Sequence, residues 1–309
     1  MVKTENLRKE FGQLVAVDDL NLQIEEGDIF GFIGPNGAGK TTTIRMLATL
    51  LRPTSGTAYI DGIEVTGNYR QVRPLIGFMP DFFGVYDDVK VWEYLDFFAA
   101  AYLIPKDDRP SKIDGVLDLT NLTGKKDSFV EELSRGMKQR LCLAKTLIHD
   151  PKVLLLDEPA SGLDPRARIE IKDLLKRLRS MGKTILVSSH ILPELADFCN
   201  KVGIIEKGKL VVAGDVKTIM EQTIGGRILE IRLLDGDMRK ATGIMAGLSS
   251  IKEVKEIDGM LHAHFAGTLE DQCSVLRALV NADVKVLSFA EQATDLEDIF
   301  MKVTKGIVS

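Results

Sequence analysis

Cysteine is scarce in this 309-residue chain, at three residues, and there is a single tryptophan. Cys142, Cys199 and Cys273 are odd in number and far apart, so no disulfide framework is expected. Without a CxxC or a His/Cys cluster they do not suggest a metal either, and the usage fits a reduced, cytoplasmic compartment. Long apolar runs are missing too. The most apolar window, VWEYLDFFAAAYLIP at 91–105, is too short and too acidic to cross a bilayer. Charged residues already appear within Met1–Arg8, and no signal peptide is expected there. Direct membrane insertion is therefore not expected, and work at a membrane would need another chain as anchor. A Lys/Arg-dense arm is also absent and the net charge is −5, which argues against a nucleic-acid partner bound by phosphate neutralisation.

What is present is enough for two domains, with 45% hydrophobic residues to fill their cores. Strand-like alternation runs through 5–33 and ends in a glycine loop; TTTIRMLATLL at 41–51 reads as a helix. Short strands follow at TAYIDG and LIGFMP, and a helical stretch from about 82 to 150. After 150 the pattern is strand, helix, strand: KVLLLDEP, RARIEIKDLLKRLRSM, KTILVSSH. Such alternation predicts a parallel sheet with crossover helices. A boundary is expected near TIGGR, dividing 1–222 from 223–309. Beyond it the order β-α-β-β-α-β, with a last helix at 294–304, predicts a small ferredoxin-like α+β domain.

GPNGAGKTT at 34–42 fits G-x-x-x-x-G-K-[ST] between a predicted strand and a predicted helix. Its glycines let the loop Gly34, Pro35, Asn36, Gly37, Ala38 and Gly39 wrap a phosphate with its backbone N–H groups, Pro35 alone having none to donate, and the helix adds its positive end. Lys40 would reach the β/γ oxygens, Thr41 would ligate Mg2+, and Thr42 continues the site. VLLLDEP is an apolar strand ending in Asp157 and Glu158, at the sheet edge where α/β folds bind ligands. Asp157 would orient the metal and Glu158 would act as general base on a water. His190 ends another strand, suited to hydrogen-bond a γ-phosphate. LSRGMKQR at 133–140 opens a long helix with Ser134 and Gly136, yet lies about a hundred residues from the phosphate loop.

In that order GPNGAGKTT, LSRGMKQR, VLLLDEP, SGLDP and SSH resemble the motifs of an ABC-type ATPase, over roughly residues 1–220. The resemblance implies a P-loop NTPase core of ABC type with a helical subdomain, hydrolysing ATP with Mg2+. It assigns Phe11 to the adenine, and Ser134 and Gly136 to the γ-phosphate of ATP held by a second subunit. Asp164 of SGLDP falls on the loop that crosses the dimer interface, and His190 on the switch position. Two copies related by a twofold axis would each lend a helix start to the other's ATP, making a homodimer. The implied role is the ATP-hydrolysing subunit of a membrane transporter, held on the inner face of the membrane by a separate permease. A soluble ABC ATPase acting on ribosomes or nucleic acid is the alternative.

The chain departs from the family at three positions. Arg135 and Met137 stand where LSGGQ has glycine and glutamine, and Asp81 stands where a glutamine usually senses metal and partner. Aspartate can still offer oxygen to a hard cation, though it is shorter and charged, which leaves a coupling role as its alternative. Trp92, Tyr94, Phe97 and Phe98 are expected in the core of the helical subdomain, with Phe82, Phe83 and Tyr86 forming a groove for a permease helix. The helix at 168–180 is expected to show a solvated basic face. The ending DLEDIFMKVTKG is similar to exporter-type ABC ATPases.

Overall fold

The computed structural model describes residues 1–82, 84, 88–191, 195, 197–216, 218, 219, 227–234 and 237–291. The chain divides into two compact units, Met1–Val216 and Lys217–Ser309. The boundary expected at 222/223 and the last expected helix at 294–304 lie outside the described residues, as do Phe83 and Tyr86.

The first unit holds two sheets. Strands β1 (Val2–Phe11), β2 (Leu14–Ile24), β4 (Ser55–Ile60) and β5 (Ile63–Glu64) form a separate antiparallel sheet in the order β2-β1-β4-β5. The sequence pattern alone gave these strands no sheet of their own. The second sheet has the order β10-β9-β3-β8-β7-β6. It is built from β3 (Ile29–Ile33), β6 (Ile76–Met79), β7 (Val153–Leu156), β8 (Thr184–Ser189), β9 (Lys201–Glu206) and β10 (Lys209–Asp215). Its pairs are parallel except β9 with β10, an antiparallel edge. Every residue of β3, β7 and β8 is buried, which is why these strands read as apolar runs without alternation.

Helix α1 (Lys40–Leu47) follows β3 and packs Ile44, Met46 and Leu47 into the core shared by both sheets. It stops short of the expected Leu51: the chain turns at Thr49, with φ 63°. A short α2 (Tyr69–Val72) precedes β6. Helices α3 (Val91–Ala101), α4 (Arg109–Leu119) and α5 (Arg135–Leu147) pack together between β6 and β7. Of the four aromatics expected in their core only Tyr94 is fully buried; Trp92 and Phe98 are half-buried and Phe97 is 55% exposed. Phe97 instead lies edge-on to Phe98, with ring centroids 5.1 Å apart. Helix α6 (Pro165–Ser180) buries Ile171, Leu174, Leu175 and Leu178 and leaves its basic side outward. At the start of β3, Asp28 accepts from Asn200 Nδ2 at 2.7 Å and pairs with Lys201 at 2.9 Å, tying β3 to β9 by side chains.

The second unit contains β11 (Arg227–Leu233), α7 (Met238–Ala246), β12 (Ile251–Ile257), β13 (Met260–Phe265), α8 (Leu269–Asn281) and β14 (Val286–Glu291). Its antiparallel sheet, in the order β12-β13-β11-β14, is the one a ferredoxin-like β-α-β-β-α-β unit requires. Leu229, Ile231, Ala263 and Phe265 meet Ala241, Met245, Val275 and Leu279 in its core. A capping box at Thr268 and Asp271 starts α8.

Candidate functional site

The C-terminal ends of the parallel strands gather the phosphate loop, Asp157, Glu158 and His190. β3 runs into GPNGAG, whose geometry excludes side chains. A Cβ on Gly34 would overlap the Ile205 carbonyl, and one on Gly39 would stand 2.5 Å from the Ala16 carbonyl. Gly39 (φ 108°) and Gly37 (φ 81°) occupy conformations that favour glycine. The loop curls back so that Lys40, only 6% exposed, donates to the carbonyls of Gly34 (2.6 Å) and Pro35 (3.2 Å). Burial pushes the Lys40 pKa below the ordinary lysine range, with Glu158 and Asp157 opposing that shift.

β7 lies one strand away, across β8, and its end carries Glu158 to within 3.8 Å of Lys40. Asp157 is fully buried; its Oδ1 accepts from Ser188 Oγ at 2.6 Å, while Oδ2 finds no hydrogen-bond partner among the described residues. A buried carboxylate oxygen left without a donor is what a hard cation satisfies, and the hydroxyl-bearing Thr41, which lines the same cleft as the adjacent Glu158, suits that ion. These residues fit Mg2+. Glu158 carries φ 51°, so the chain turns sharply off the strand and its carboxylate projects into the cleft. That carboxylate lies 3.8 Å from Lys40 Nζ and 3.0 Å from His190 Nδ1.

The cleft between these groups has a volume of ≈ 590 Å³, the size of a small-molecule site. Phe11, 48% exposed, lines its outer wall with Leu14 and Ala16, and Lys9 Nζ stands 5.1 Å from the Phe11 ring centroid. Asn36, Ala38, Thr41 and Thr42 line the floor, and Asp81, Phe82, Ser161 and His190 the rest. Asp81 is half-exposed and lies 3.8 Å from Arg45 Nη2, so a cation already faces its carboxylate. In chemical terms the cleft offers a flat apolar wall, a cradle of backbone N–H groups, one buried ammonium, a metal-ready acid and a base. A nucleoside triphosphate matches that sequence of groups.

Ser134, Gly136 and Asp164 do not line this cleft. Ser134 caps α5, its Oγ accepting from the Met137 N–H at 3.4 Å, and Asp164 caps α6 by accepting from the Ala167 N–H at 2.9 Å. The two helix starts sit side by side, since a Cβ on Gly136 would come within 3.3 Å of Ala167 Cβ. Sequence reasoning missed Ser188, which donates to Asp157 and accepts from the Glu158 N–H at 3.0 Å. It also missed Gln139, buried at 2% exposure, whose Nε2 donates to the Pro159 carbonyl and holds the loop behind Glu158. Each is one polar residue in a continuous helix or strand, and only the fold brings it to the acids.

Comparison with known proteins agrees with this geometry. Residues 17–161 match the ABC transporter family model, and 214–304 match the C-terminal domain of DrrA1-3-like ATP-binding proteins. The chain is 33% identical to a Nod factor export ATP-binding protein I from Ralstonia nicotianae over 305 residues, covering 98% of this chain and 94% of that one. Among solved structures it resembles cbiO1 from Clostridium perfringens, part of the ABC transporter complex cbiONQ. The TM-score is 0.65 at 28% identity, over 72% of this chain and 90% of that one. It also resembles a dimeric post-hydrolysis ATP-binding cassette, MJ0796 bound to ADP and Pi, with TM-score 0.63 at 26% identity, over 70% of this chain and 99% of that one. No described helix is long and apolar enough to cross a membrane. The chain belongs to the ATP-binding, ATP-hydrolysing subunits of ABC transporters, of the exporter type.

Proposed function

We propose that two copies of this chain close face to face on two ATP molecules and drive a separate membrane permease toward export. The observation that carries the reading is the convergence of Lys40, Glu158 and His190 on one cleft that also holds an apolar wall for a base, with Asp157 buried next to Glu158. In this reading Phe11 stacks on adenine, and the N–H groups of 36–42 with Lys40 hold the β- and γ-phosphates. Binding would release Lys40 from the Gly34 and Pro35 carbonyls it now bonds. Thr41 and Asp157 would hold Mg2+, which would supply positive charge against the charge developing on the phosphates.

Glu158 accepts a proton from the attacking water, and His190, which now contacts that carboxylate, turns to the γ-phosphate. Each subunit's Ser134 and Gly136 meet the γ-phosphate held by the other, while Asp164 crosses between them. ATP is then part of the contact, and its hydrolysis removes that contact. Asp81, on the rim beside Arg45, reports occupancy to the permease. The likeness to an export protein and to a subunit of a multi-component transporter supports export and a peripheral place on the inner membrane face. Pull-down of the tagged chain from solubilised membranes should bring a multi-span protein with it. Recovery of a free monomer even with hydrolysis blocked and ATP present would sink the proposal.

A further inference from the structure

We propose that Arg135, where this chain departs from LSGGQ, is an ATP-contacting residue of the opposite active site. Its guanidinium would join Ser134 and Gly136 on the γ-phosphate held by the partner. The assignment rests on the reading that the α5 start meets nucleotide across a dimer.

Three features converge on it. First, the guanidinium is seated. It lies flat against Gly162 of the SGLDP loop: a Cβ on that glycine would overlap Nη2 and stand 2.6 Å from Cζ and 2.9 Å from Nη1. Gly162 has φ 69°, so the loop conformation and the missing side chain together make room for the fork. A seated fork retains less freedom than a free lysine tip, which suits it to bidentate phosphate recognition.

Second, the charge is unanswered. Arg135 makes no ion pair among the described residues. The carboxylate of Glu170, on the neighbouring helix, is already engaged by Arg140 at 3.4 Å and Arg166 at 3.6 Å. Arg135 opens α5, beside the positive end of the helix dipole, an unfavourable place for a cation until an anion arrives. Third, the adjacent departure makes a vacancy of function. Met137 cannot donate the hydrogen bonds of the glutamine it replaces, whereas Arg135 brings five donors and a full charge two positions away. The pair reads as an exchange: a neutral amide contact given up and a charged one gained. Since the contact is to the γ-phosphate, Arg135 also favours ATP over ADP in the closed dimer.

The test uses the full chain carrying Glu158→Gln, in which ATP-driven dimers should accumulate. Sedimentation is followed against ATP concentration at several salt concentrations. Arg135→Met on that background should raise the ATP needed for half-dimerisation about ten- to a hundred-fold, the weight of a charged hydrogen bond. It should also flatten the salt dependence. Arg135→Lys should recover part of the loss, and Gly162→Ala, which unseats the fork but keeps the charge, should give an intermediate one. Binding of a fluorescent ATP analogue to the dilute monomer should not change, because that readout belongs to the subunit's own cleft. Dimerisation of Arg135→Met with the parent's ATP and salt dependence would overturn the assignment of Arg135 alone. If the Glu158→Gln parent forms no ATP-dependent dimer, the cross-subunit reading fails first and takes this assignment with it.

Discussion

Helices α1 and α5 both begin with small residues and free N–H groups, yet they stand in opposite surroundings. The start of α1 is sunk behind a glycine loop, with a buried ammonium within it and two acids beside it. The start of α5 is on the surface, capped by its own serine, with a spare arginine and none of the residues of the ATP cleft. In the reading proposed above, the first is a phosphate site within one chain. The second offers donors and charge outside the cleft, and in the same reading it finishes a site that another molecule brings. The difference teaches that a helix dipole alone does not make an anion site; what surrounds the free N–H groups decides how much of the work is done locally.

Predictions that would break or sharpen this contrast descend in size. Glu158→Gln should lower the turnover of ATP by about 10²–10⁴-fold, measured as phosphate release, with dimers persisting in ATP. Unchanged turnover would remove Glu158 from the role of base. Next, Lys40→Ala should weaken nucleotide binding to the monomer about ten- to a hundred-fold, whereas Ser134→Ala should leave monomer binding intact and weaken only the dimer. Equal loss of monomer binding in both would erase the distinction between the two helix starts. Asp157→Asn should raise the Mg2+ concentration for half-maximal hydrolysis about tenfold, since the neutral amide serves a divalent ion poorly. A magnesium titration that superimposes on the parent's would exclude Asp157 as ligand. Ser134→Ala should also cost about 1 kcal/mol in thermal or denaturant unfolding, the usual value of a lost cap.

An effect of similar size concerns Asp28. Burial raises its pKa, but the bonds from Asn200, Lys201 and the Glu25 N–H outweigh it, so the carboxyl titrates below its ordinary range. A lowered pKa stabilises the fold above the unfolded pKa, and that contribution disappears as pH falls through the folded value. Asp28→Asn should therefore cost about 1 kcal/mol at neutral pH, with parent and variant converging below about pH 4 in denaturant titrations.

The parts legible in the sequence are those written in contiguous letters. GPNGAGKTT carries turn, helix start and chemistry in one short run, VLLLDEP carries strand, turn and chemistry in another, and the buried runs of β3, β7 and β8 announce a parallel sheet. What stayed hidden depends on distant pairing. The separate antiparallel sheet of β1, β2, β4 and β5 needs register between strands as much as fifty-odd residues apart, as in Val2 with Ile60. Ser188 and Gln139 are ordinary polar letters until β8 and α5 carry them to the acids. Phe97 looked like core because composition reports hydrophobicity, whereas burial follows which side of α3 meets α4 and α5. Arg135 was visible as a departure, but its seat on Gly162 was not, since that contact joins two helix starts thirty residues apart in different elements.

The backbone of Glu158 has a consequence for engineering. A non-glycine residue at φ 51° costs of the order of 1 kcal/mol, and here the residue bearing that cost is also the one proposed as the base. Glu158→Gly would relax the turn as it silences the chemistry, so the dead enzyme should melt at a higher temperature than the live one. Selection for heat resistance alone would drift toward inactivity at this position, and any stabilised variant of the chain should be screened for retention of Glu158.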